Sequence, residues 1–113
     1  MVKVKAIGER GSWFAKVDGE RLPCVHQYWV KGLHHCDPGY GSGERQWDEL
    51  FRSIVELKRV ILTKDEPIAA PDRKSGFLFN RTGYIAVYSV ANIEADDRGL
   101  RFDLTGRLCD LQG

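Results

Sequence analysis

Cysteine is scarce in this chain, methionine occurs once, proline four times, and there is almost no net charge. The three cysteines are Cys24, Cys36 and Cys109, and no Cys-x-x-Cys pair occurs. An odd count without an export signal fits a reducing, cytoplasmic setting, and nothing requires a Cys24–Cys36 disulfide. Long apolar runs are missing as well. The longest near-apolar stretch, residues 84–91, falls far short of the roughly 20 residues that span a bilayer. No membrane partner is expected. The opening Met-Val-Lys-Val-Lys has no apolar h-region and does not read as a signal peptide. Lys and Arg total 17 against 16 acids, a net charge of +1. This excludes a strongly basic coat for nucleic acid or anionic membrane and leaves room for a local basic patch. Repeats, low-complexity tracts and internal linkers are also lacking.

What is present is an ordinary globular composition. The 113 residues are 42% hydrophobic and 29% charged, which suits one domain over residues 1–113. A chain of this size can bury a core without metal or disulfide support.

Val2, Val4 and Ala6 alternate with Lys3 and Lys5, as in a half-buried strand. Residues 12–17 read as a second strand. Asp18-Gly19 then predicts a type I′ hairpin turn, whose two central residues need positive φ. The return strand covers residues 20–30. This register sets Val17 opposite Glu20, Ala15 opposite Leu22 and Trp13 opposite Cys24. The face carrying Trp13, Ala15, Leu22, Cys24 and His26 is the expected core face; Phe14, Lys16, Arg21, Pro23 and Val25 take the other. Pro23 marks an edge or a bulge.

Residues 31–43 hold four glycines and Pro38 and read as a loop. A helix is predicted over residues 44–58. Trp47, Leu50, Phe51, Ile54, Val55 and Leu57 form its apolar stripe, with Ser42 or Gly43 as N-cap. Residues 59–63 turn β-like, and 64–75, with Pro67 and Pro71, read as a second loop. A short strand 77–80 and a turn 81–83 follow. The strand 84–94 and the alternation of Leu100, Phe102 and Leu104 predict a closing antiparallel hairpin. The expected class is α+β: a small antiparallel β-barrel or strongly curled sheet of six to seven strands with one amphipathic helix. This order of elements resembles PUA-like and other small nucleic-acid-reading barrels. At the level of fold alone, that resemblance implies a base or nucleic acid as partner.

Four features carry chemistry. The first is Cys24-Val-His26 followed by His34-His35-Cys36-Asp37. Cys and His two apart on a strand point the same way, and tetrahedral zinc takes thiolate and imidazole. A plainer reading makes Cys24 a core residue and His34-His35 a solvated loop. The second is a Cys–His nucleophile pair drawn from the same residues. The third is the loop Gly39-Tyr40-Gly41-Ser42-Gly43 opening the helix. It lacks the Walker lysine, but with Arg45 its amides suit a small anion. The fourth is a set of aromatic residues interleaved with cations. Trp29 and Tyr40 are the rings expected to be exposed, and the basic stretch Asp72-Arg73-Lys74-Ser75 with Arg81 suits a phosphate.

The sequence thus supports a non-catalytic ligand-binding module with its pocket where residues 31–43 meet the barrel mouth. His26, Tyr28, Trp29 and His34 line it from one side; His35, Tyr40, Arg45 and Trp47 complete it. The ligand is a nucleotide, a base or a small anion. The alternative is a small zinc protein or metal-dependent hydrolase with Cys24, His26, His34, His35 and Cys36 as ligands, beside Asp37. A third reading is an interaction subunit forming a homodimer through an exposed strand or helix face.

Overall fold

In the computed structural model of this chain, residues 3–112 are described. Val2 of the first expected strand lies outside them. Eight strands form one sheet, and a single α-helix lies against it among the described residues. The N-terminal strands are β1 (Ala6–Gly8), β2 (Phe14–Val17) and β3 (Glu20–His26). A 3-10 turn at Gln27–Trp29 leads into β4 (Val30–Lys31) and β5 (His34–Asp37). The helix α1 covers Gln46–Leu57. The long strands β6 (Arg59–Ala69), β7 (Phe77–Asp96) and β8 (Gly99–Asp110) close the chain. The sheet order is β1-β2-β3-β6-β7-β8-β5-β4.

The first hairpin follows the expected register. Val17 pairs with Glu20 and Ala15 with Leu22, and the Cys24 N–H donates to the Trp13 carbonyl at 2.8 Å. Asp18 and Gly19 both take positive φ, 51° and 79°, as a type I′ turn requires.

Other expectations are corrected. The sheet has eight strands, not six to seven, and its order is open rather than a closed barrel. A single parallel bridge, Val4 to Leu111, lies outside the named strands. The sheet is not wholly antiparallel, because Cys24–His26 pair in parallel with Ile61–Thr63. The stretch between those two strands, with α1, therefore forms a crossover. Part of the expected 31–43 loop is strand: His34–Asp37 pair with β8, His35 standing opposite Phe102. The first half of the expected 64–75 loop is the extension of β6, paired with β7 from Lys64 to Ala69. The expected turn at 81–83 is continuous β7, with register shifts in the ladder beside it. The helix starts from Arg45, in helical conformation without a side-chain cap, rather than from Ser42 or Gly43.

The two strand prolines sit where pairing is one-sided. β3 joins β6 only from Cys24 onward, so Pro23 faces no partner on that side. Pro67 lies beyond the β3–β6 ladder, where β6 keeps only β7 as neighbour. In both places the missing N–H costs no ladder bond.

The sheet buries both faces. Phe14, Val25, Leu62, Phe102 and Leu104 pack with Leu50 and Ile54 of α1. Ala15, Leu22, Cys24, Ile61, Val87 and Leu111 form a second core. Alternate residues of β3 and β6 serve the two cores, so Leu22-Pro23-Cys24-Val25 and Val60-Ile61-Leu62 are continuously buried. The choice of one core face for the first hairpin is corrected accordingly, since Phe14 is as buried as Ala15. Arg21 ties the hairpin to the helix. Its guanidinium lies 3.7 Å from the Phe14 ring centroid and donates to Glu9 and to Glu49. Among the described residues no helix is long and apolar enough to cross a membrane.

Candidate ligand cavity

A cavity of about 380 Å³ opens between the first hairpin, the entry to α1, β5 and the extended β6–β7 arm. The aromatic side chains of Trp13, Trp47, Phe77 and Phe79 contribute to its walls. Trp13 and Trp47 meet edge-on with centroids 4.7 Å apart. The Trp47 indole N–H donates to Ser42 Oγ at 3.0 Å. Gln46 Oε1 accepts from the Trp13 backbone N–H at 3.0 Å, fixing the hairpin to the helix entry.

Asp65 is the central polar group. Its side chain is only 1% exposed. Oδ2 accepts from His26 Nδ1 at 2.8 Å and from the Thr63 hydroxyl at 2.6 Å. A carboxylate only accepts, so Nδ1 of His26 carries the hydrogen. The His26 ring stacks on Phe79 with centroids 4.2 Å apart. Asp65 Oδ1 is buried without a partner. Arg81 stands opposite Asp65 in the β6–β7 register. It too lines the cavity, and its Nε is buried without a partner. Another of its guanidinium nitrogens donates to the Tyr84 hydroxyl at 3.3 Å. A buried polar atom without a hydrogen bond costs roughly 1–3 kcal/mol. Both such atoms stand on directly opposed residues that line one cavity.

A second buried acid, Asp37, lines the same cavity. Burial pushes its carboxyl up from the ordinary range, against the pull of the Gly39 N–H on Oδ1 at 2.8 Å. Arg73 and Lys74 stand nearby on the cavity wall. Arg73 pairs with Glu44, and Lys74 Nζ donates to the Tyr40 carbonyl at 2.5 Å. The basic stretch expected near a phosphate, Arg73-Lys74-Ser75 with Arg81, is therefore gathered around this cavity.

The structure divides the expected ligand-binding residues. His26 and Trp47 line the cavity. Tyr28, Trp29 and His34 line a separate groove of about 480 Å³ with Lys31, Cys36 and Pro38. His35 enters neither, being fully buried and stacked on Phe102 with its Nδ1 on the Leu100 carbonyl at 3.1 Å. Tyr40 packs against Trp47 and Phe51 instead of standing free, and Trp29 is half-buried. Arg45 is exposed and lines neither space.

The five expected zinc ligands are likewise divided, and β5 explains why. Consecutive residues of a strand alternate sides, so His34 and Cys36 face the groove and His35 faces the core. Among the described residues no three His, Cys, Asp or Glu side chains are placed to hold a metal. All three cysteines are free. Cys24 shares the cavity with His26, but burial pushes its thiol up to about 11. At neutral pH it is a protonated apolar wall rather than a nucleophile.

Asp65, Thr63 and Phe79 are the residues here that sequence reasoning missed, whereas Arg81 was expected only as a phosphate contact beside the basic stretch. All but Thr63 lay in what read as loop, turn or short strand. The one available signal was the polar Thr63 and Asp65, two apart, directly after the apolar run Val60-Ile61-Leu62. Comparison with family models, with curated proteins and with solved structures finds no match to this chain.

Proposed function

We propose that this chain is a non-catalytic binding module that takes a nucleobase, free or within a nucleotide, into the cavity between the first hairpin and the β6–β7 arm. One observation carries this reading. Aromatic walls enclose a buried acceptor, Asp65 Oδ1, and a buried donor, Arg81 Nε, both without partners. A planar heterocycle supplies a face for the rings and polar atoms for the two orphans. The groove at Tyr28 and Trp29 offers less, because its unpartnered buried atom is a lone donor, Trp29 Nε1. A small anion fits the cavity less well, because Asp37 and Asp65 line it and Glu44 occupies Arg73.

Thermal melting against nucleosides, nucleotides and inorganic phosphate tests the reading. A ligand at a hundredfold excess over its Kd adds about 2.7 kcal/mol to stability. Nucleosides are expected to raise the melting temperature of the wild type and to leave Phe79→Ala unshifted. A shift produced equally by phosphate alone would replace the base by an anion.

A further inference from the structure

The pattern of donors and acceptors in the cavity goes further, provided the cavity is the ligand site as proposed above. From the opposed Asp65 and Arg81, we infer that the ligand is an amino-heterocycle, presenting an exocyclic amine beside an unprotonated ring nitrogen. Asp65 Oδ1 is an acceptor fixed in place, since Oδ2 is already held by His26 at 2.8 Å and Thr63 at 2.6 Å. Arg81 Nε is a donor and never an acceptor. Directly opposed residues project from the same sheet face, and both line the one cavity, so a single ligand edge can meet the two.

Cytosine and adenine offer this edge: the amine donates to Asp65, and the adjacent ring nitrogen accepts from Arg81. Uracil and hypoxanthine reverse both positions. Their carbonyl oxygen would meet the Asp65 oxygen, and their ring N–H would meet the Arg81 N–H. A site built to hydrogen-bond rejects the wrong partner strongly, because its own buried groups then stay unpaired.

Calorimetric titration of the wild type with cytidine, uridine, adenosine and inosine tests this. Cytidine is expected to bind more tightly than uridine, and adenosine than inosine, each on the order of 100-fold. Asp65→Asn carries the sharper expectation. Thr63 and His26 hold the amide oxygen, so the amide NH₂ takes the place of Oδ1. Both preferences then narrow at least about tenfold, with the melting temperature of the free protein reporting that it folds. If that variant does not fold, Arg81→Met removes the donor and narrows the same two ratios. Equal affinity within each pair would overturn this inference and leave the cavity reading standing. Binding of none of the four would overturn the cavity reading, and the inference with it.

Discussion

His35 is fully buried, lies nearly parallel to Phe102 and has no partner for Nε2. Burial pushes its value down to about 3, against the pull of the Leu100 carbonyl. In the unfolded chain the same imidazole takes a proton below about 6.5. The unfolded state therefore binds more protons between pH 6.5 and 3, and the His35 contribution to stability is lost as pH falls through that window. Asp37 acts in the opposite sense. Its raised native value makes the folded state the greater proton binder above the ordinary aspartate range, so its contribution falls as pH rises there. The comparison with a variant separates the two. His35→Phe keeps a ring on Phe102 and removes the titration. Its urea-unfolding free energy is expected to lose less than the wild type between pH 6.5 and 4, the difference approaching about 1.4 kcal/mol per pH unit at most. Identical slopes would contradict the buried, neutral assignment. From sequence, His35 read only as one of a cluster. Its inward direction follows from β5 being a strand, and the glycines and proline around it concealed that.

At the scale of elements, α1 shows how far periodicity reaches. Trp47, Leu50 and Ile54 of the expected stripe are buried, whereas Val55 is 44% exposed. Ile54→Ala is expected to cost about 2–5 kcal/mol in denaturant unfolding, and Val55→Ala within about 0.5 kcal/mol. Comparable losses would mean that the helix seats on a wider face. The first hairpin and the closing β7–β8 hairpin were legible for similar reasons, Asp18-Gly19 in one and Leu100, Phe102 and Leu104 in the other. The β6–β7 arm was not. Its β6 half carries Lys64, Glu66 and Pro67 and exposes Ile68, so no buried face imposes a period of two. Leu78 is exposed across from Ile68, and register shifts near Thr63 break the pattern further. That arm carries Asp65 and Phe79, which no pattern pointed to, and Arg81, which read only as a phosphate contact, whereas His26 and Trp47 stood out.

At the scale of the molecule, the two cores explain where the cavity sits. Alternate residues of β3 and β6 belong to opposite faces, and the cavity lies where Val25, Leu50 and Leu100 of one core and Cys24 of the other reach its wall. The cavity is thus built on strands and a helix entry rather than on loops alone, which favours a fixed geometry for Asp65. The sequence segment thought to form one pocket, residues 26–47, instead serves two spaces separated by the rings of Tyr28, Trp29, Phe77 and Phe79. That division also gives the most direct test. In a ¹H–¹⁵N NMR titration with cytidine, perturbations are expected at the amides of Trp13, Cys24, His26, Asp65 and Arg81 and at the Trp47 indole. Tyr28, Trp29 and His34 should stay in place. Perturbations confined to those three, or none at millimolar cytidine, would contradict the cavity as the ligand site.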